Sequence, residues 1–229
     1  MKFGVVTFPG SNCDQDMVYV LKDILGQNVV SLWHKDVNLQ GVDMVVLPGG
    51  FSYGDYLRSG ALAKFSPIMN EVINHANRGG YVLGICNGFQ ILTESGLLEG
   101  ALLHNNSQRF ICKNVFLKPV SSTAGITKEL SVQTSYKIPI AHGEGRYFAS
   151  NETINRLEDN DQVLFKYVDS EGNLSSEANP NGSLNNIAGI TNKTKNVFGM
   201  MPHPERAADL HLNNIDGLSL FESILTHCS

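Results

Sequence analysis

The chain has 229 residues, 42% of them hydrophobic, with 17 Lys and Arg against 22 Asp and Glu for a formal net charge of −5. That is enough apolar material for one sizeable core, a single domain over residues 1–229, and without a basic run it carries no nucleic-acid footprint. No stretch approaches the ~18 apolar residues of a membrane span, and the four cysteines (Cys13, Cys86, Cys112, Cys228) show no CxxC pairing, so reduced thiols in the cytoplasm are expected.

Lys2 to Phe8 reads as a short apolar strand, followed by a loop at Pro9-Gly10-Ser11-Asn12. Cys13 to Leu25 carries apolar residues at helical spacing and stops at Gly26. Asn28–Trp33 and Asp43–Leu47 are strands, the latter closed by Pro48-Gly49-Gly50. Ser59–Asn77 is a predicted helix ended by Arg78-Gly79-Gly80, and Tyr81–Ile85 is a buried strand that runs into a helix begun by Phe89, Ile91 and Leu92. Continuous apolar strands alternating with helices predict an α/β fold, a mostly parallel sheet with helices on both faces and its ligand site at the carboxyl ends of the strands. Beyond Gly100 the pattern changes: Phe110–Val120, Ser135–Ile140 and Val163–Val168 read as strands of an antiparallel extension. A polar loop, Ala178–Asn186, leads to a hairpin of Ile187–Thr191 and Val197–Met201 with its turn at Asn192–Lys195, and Asn214–Thr226 is a closing helix.

Cys86 stands at the strand-to-helix turn with Gly84 two residues before it and Gly88 two after. This is the spacing of a nucleophile elbow with cysteine in place of serine. Strand and helix approach closely there, so glycines are needed where a Cβ would collide, and a helix N-terminus favours the thiolate. A cysteine on an apolar strand is also an ordinary small core residue, so the elbow alone does not decide. Further along, Met201-Pro202-His203-Pro204-Glu205 places a histidine between prolines. Residues before proline are extended, which would put His203 and Glu205 on one face as a base with its orienting carboxylate. Cys86, His203 and Glu205 then form a candidate catalytic triad. Acyl transfer also needs oxyanion donors: the N–H of Asn87, after the nucleophile, and one from Gly49-Gly50-Phe51, although those glycines also suit a plain tight turn.

Gly84-Ile85-Cys86-Asn87-Gly88-Phe89-Gln90, with Pro48-Gly49-Gly50-Phe51 upstream and His203-Pro204-Glu205 downstream, resembles the class I (triad) glutamine amidotransferases, whose fold is flavodoxin-like. The stretches Pro9–Asp14, Gly49–Arg58, Asn106–Phe110, Ala141–Arg146 and Ala178–Ser183 extend the resemblance over nearly the whole chain. They narrow it to a branch whose glutaminase is a separate subunit serving purine biosynthesis. The resemblance implies that Cys86 attacks L-glutamine and forms a thioester, that His203 moves the protons, that Glu205 orients His203, and that Gly50 and Asn87 hold the oxyanion. It also implies that Gln90, Arg109, His142, Gly143 and Glu144 contact the substrate, and that Ser59, where relatives carry cysteine or serine, is not catalytic. No GxxxxGK[ST] loop occurs, so no cofactor and no metal is expected in this chain; ATP and Mg are expected on a large synthetase partner, joined by a small bridging subunit. Other readings fit the same elbow: the amidotransferase subunit of another biosynthetic synthetase, a cysteine peptidase or esterase, or a non-catalytic binding module.

Overall fold

The computed structural model describes residues 1–228. Its first part alternates: β1 (Lys2–Thr7), α1 (Asp14–Tyr19, continued by a π turn over Val20–Ile24), β2 (Asn28–Trp33), β3 (Met44–Leu47), α2 (Pro67–Asn77), β4 (Tyr81–Ile85) and α3 (Asn87–Glu94). Then follow β5 (Ala101–Leu103), β6 (Ile111–Pro119), β7 (Tyr136–His142), β8 (Arg146–Phe148), α4 (Asn151–Asp159), β9 (Val163–Val168), β10 (Ile187–Thr191), β11 (Val197–Met200) and α5 (Leu218–His227).

One nine-stranded sheet has the order β2-β1-β3-β4-β11-β10-β9-β6-β7, while β5 and β8 pair apart from it. The first five of these strands are parallel and the rest are antiparallel; β6, β7, β9 and β10 match the change of pattern after Gly100, whereas β11 returns to pair in parallel with β4. Every residue of β3 and β11 is buried, so both faces of the parallel half are covered, because successive side chains point to opposite faces. In β7 burial alternates, Tyr136, Ile138, Ile140 and His142 being buried, so this edge is fully covered on one face only. The loops after β1, β3, β4 and β11 all leave the carboxyl ends of parallel strands. They deliver Cys13, Gly50, Cys86 and His203 to one corner, with β7 ending beside it at His142.

Several expectations are corrected. The helix expected over Ser59–Asn77 begins only at Pro67; Ser66 is extended (ψ 139°) ahead of that proline and Gly60 is left-handed (φ +81°), which leaves a 3-10 turn at Ala63–Phe65. The closing helix starts at Leu218, not Asn214, because Asn213 is left-handed and the Gly217 N–H is taken by the Ala207 carbonyl at 2.7 Å. The helix α4, capped by the Ser150 side chain on the Thr153 N–H, and the three-residue strands β5 and β8 were not expected.

Candidate active site

Cys86 adopts φ 50° and ψ −104°, a conformation that costs a side-chain-bearing residue about 1–3 kcal/mol. The surroundings hold it there. A Cβ on Gly88 would lie 1.9 Å from the Leu47 carbonyl oxygen, and one on Gly84 would lie 2.7 Å from the Gly88 backbone, so strand, elbow and helix close only with glycine at both positions. The Cys86 N–H is tied to the Met200 carbonyl at 2.8 Å, which fixes the elbow to β11. Cys86 is buried, its Sγ 3.7 Å from the Ala141 carbonyl and its backbone at the mouth of α3. Asn87, the first residue of α3, accepts from the Ser52 N–H through Oδ1 (3.2 Å) and donates to Gln90 Oε1 (2.9 Å). The loop after Gly50 is thereby pinned to the elbow. Gly50 itself is at φ +138°, where a Cβ would meet the Asn12 nitrogen at 2.8 Å, so the glycine does more than make a tight turn.

His203 donates from Nδ1 to Glu205 Oε1 at 2.6 Å, both side chains being almost wholly buried. The expected pairing forms, but by a different route. Only His203 stays outside helical geometry; Pro204–Arg206 is a 3-10 turn that brings Glu205 back under the imidazole. The His203 N–H is anchored on the Pro139 carbonyl of β7 at 2.9 Å. Burial opposes a charge on the ring, yet Glu205 and the Cys86 sulfur beside it outweigh burial and hold the imidazole well above its ordinary pKa. The raised imidazole is thus placed to hold a proton beside the Cys86 sulfur.

A cavity of about 150 Å³ opens over Cys86. Its wall includes Gly50, Gln90, His142, Gly143 and Glu144 from the expected set, and Phe51, Asp55, Ser59, His104 and Phe110 besides. Gln90 is a fixed part of that wall: its Nε2 donates to the Glu144 carbonyl at 2.6 Å while its Oε1 is held by Asn87. Glu144 accepts the Ser59 N–H at 3.2 Å and faces His104 Nε2 at 3.5 Å. With Asp55, whose carboxyl is raised by burial and by the Glu144 charge, it makes one side of the cavity acidic. Arg109 has an exposed side chain that does not line this cavity, and its carbonyl holds Asn105.

His142 is buried, its Nδ1 3.1 Å from Asn105 Oδ1, and Gly145 leaves room for its ring. Burial, helped by the charge of His203, lowers His142 to about 4. Between its ordinary 6.5 and about 4, the unfolded chain therefore binds a proton that the folded chain refuses. Stability contributed by neutral His142 is complete above pH 6.5 and is lost as pH falls towards 4, at most about 3 kcal/mol. Urea midpoints measured across that window are expected to fall less steeply in His142→Asn; an identical slope would show that other groups govern it.

Comparison with known proteins matches residues 1–220 to the model of the CobB/CobQ-like glutamine amidotransferase domain. The chain belongs to this family. The phosphoribosylformylglycinamidine synthase subunit PurQ of Synechocystis sp. is 58% identical over 221 residues, covering 96% of this chain and 99% of that one. Its counterpart of the same name from Chlorobaculum parvum is 55% identical over 227 residues, covering 99% and 90%. In the solved structure of PurLQS from Thermotoga maritima, one chain superposes with a TM-score of 0.87 at 41% identity, covering 100% of this chain and 99% of that one. For this amidotransferase, Asp55, His104 and Phe110 are cavity residues that sequence reasoning did not single out. Asp55 and Phe110 lie inside stretches that carry the resemblance, which was the signal available.

Proposed function

We infer that the chain is the glutamine-hydrolysing subunit of phosphoribosylformylglycinamidine synthase. The observation that carries this is full-length identity of 55–58% to subunits of that name, together with a thiol that lines a cavity and has an imidazole–carboxylate pair beside it. Cys86 thiolate attacks the side-chain amide carbon of glutamine, and the oxyanion is received by the N–H groups of Asn87 and Gly50. The His203 imidazolium gives its proton to the departing nitrogen, which leaves as ammonia, and a γ-glutamyl thioester remains on Cys86. His203, now neutral, takes a proton from water as it attacks the thioester; glutamate leaves and the thiolate–imidazolium pair is restored. Glu205 keeps Nδ1 protonated throughout, and the acidic side of the cavity, Asp55 and Glu144, receives the α-ammonium of the substrate. The chain uses no metal or cofactor of its own in these steps.

The ammonia passes to a large synthetase subunit, which holds ATP and Mg and converts formylglycinamide ribonucleotide to the formylglycinamidine in purine biosynthesis. A small bridging subunit joins the two in the cytoplasm. Delivery within an assembly keeps ammonia unprotonated and so nucleophilic. Among the described residues no helix is long and apolar enough to cross a membrane. The test is glutamate release from glutamine by the full chain alone, then with the synthetase subunits, ATP and formylglycinamide ribonucleotide. Strong stimulation by the assembly is expected; a folded chain that releases no glutamate under either condition would sink the reading.

A further inference from the structure

Cys13 is a buried thiol beside the catalytic pair that has no step in the reaction above. It sits immediately before α1, in the loop after β1, and Arg206 donates to its Sγ from Nη2 at 3.0 Å. Cys13 Sγ, an imidazole nitrogen of His203 and a carboxylate oxygen of Glu205 all lie within 4.8 Å of one another. All three side chains are buried. Glu205 Oε2 is buried without a hydrogen-bond partner among the described residues, so acceptor capacity is left unused on the carboxylate of the group. A thiolate, an imidazole and a carboxylate are a donor set suited to a borderline-soft divalent ion. Zinc bonds to such ligands run ~2.0–2.3 Å, so an ion held by all three would take the place of the proton that now joins His203 Nδ1 to Glu205 Oε1 and part those two atoms slightly. A second cavity, of about 160 Å³, gives access: Asn12, Cys13, His203 and Arg206 are in its wall and Cys86 is not.

We propose that Cys13, His203 and Glu205 form an inhibitory binding site for a thiophilic divalent cation of the Zn2+ kind, which arrests the enzyme by occupying the imidazole that must carry the proton. Binding is a property of these side chains alone; only the inhibition rests on the amidotransferase reading. The test titrates the full chain with Co2+ and follows the thiolate-to-cobalt absorption band. The band is expected in the wild type and in Cys86→Ala and is lost in Cys13→Ser, with urea midpoints confirming that each variant is folded. Cys13→Ala repeats the measurement without a hydroxyl at the Arg206 contact. In the assembled synthase, a Zn2+ concentration that slows wild-type glutamine hydrolysis about tenfold is expected to leave Cys13→Ser near its own zinc-free rate. A cobalt band that persists in both Cys13 variants would overturn the site, as would equal zinc sensitivity of Cys13→Ser and wild type. A cobalt band behaving as expected in a chain that never hydrolyses glutamine would leave the metal site standing and remove the functional reading instead.

Discussion

Cys86→Ala is expected to abolish glutamine-dependent product formation by the assembled synthase, by about four orders of magnitude or more, while synthesis from added ammonium salts continues. The asymmetry follows from where the chemistry sits. Cys86 supplies the bond-forming atom, and His203 with Glu205 can only move protons once a thioester has something to form on. The neighbouring thiol cannot substitute, because Cys13 lies in a different loop, ahead of α1 and in the wall of a different cavity, and Cys86 alone has its sulfur at the mouth of α3. Alanine at 86 should also fold, since the position is buried and loses only a sulfur atom. Parallel assays with glutamine and with ammonium salts decide the matter. Loss of both activities in a folded variant would mean that Cys86 is structural.

Gly88→Ala carries the largest expected cost in stability, about 3 kcal/mol or more, which for a chain of this size is a fall of roughly 6–12 °C in Tm. The new Cβ would lie 1.9 Å from the Leu47 carbonyl oxygen and 3.0 Å from the Leu47 Cβ. Neither neighbour can yield cheaply, because Leu47 is buried in β3, with the residues before it paired between β1 and β4. The start of α3 must move instead, and with it the elbow that aims Cys86. Gly96→Ala is the matched control: its φ is also positive (+76°), but nothing lies within 4 Å of the added Cβ, so only the smaller conformational cost of about 1 kcal/mol applies. Equal Tm values for the two variants would show that the close approach at the elbow is not what stabilises it.

The elbow was legible in the sequence because its constraint is local: two glycines, a thiol and an apolar strand within nine residues of chain. The strands of the parallel half were legible for the same reason. His203 and Glu205 were legible as a pair but not as a shape. Proline rules favoured an extended segment, whereas the observed 3-10 turn also depends on Gly217 packing against the Pro204 carbonyl from a distant part of the chain. The segment ahead of Pro67 was misread because its apolar residues suit a helix while Gly60 packs against the backbone of Gln90, a tertiary contact. The cavity wall was least legible. Asp55 reaches it through a loop in which Tyr53, Asp55 and Leu57 all have positive φ, a conformation that no residue preference announces. Arg109 lies in a stretch that carries the resemblance, and its backbone carbonyl supports the site by holding Asn105.

The place of β11 in the sheet has a consequence for how the molecule comes into being. The strand that lies between β4 and β10 is the last of the eleven to be synthesised. A nascent chain therefore completes its nucleophile strand, helix and cavity loops with the middle of the sheet still open, and at about 5–20 residues per second the missing strand follows some seconds later. Until then the Cys86 amide lacks the Met200 carbonyl that fixes it, and the thiol lacks His203. Activity should thus appear in one step, late, when β11 threads between two preformed halves, and such non-local closure is characteristically slow. A ribosome-bound fragment carrying everything through β10 would hold Cys86 without His203 and Glu205, and is expected to show no glutaminase activity.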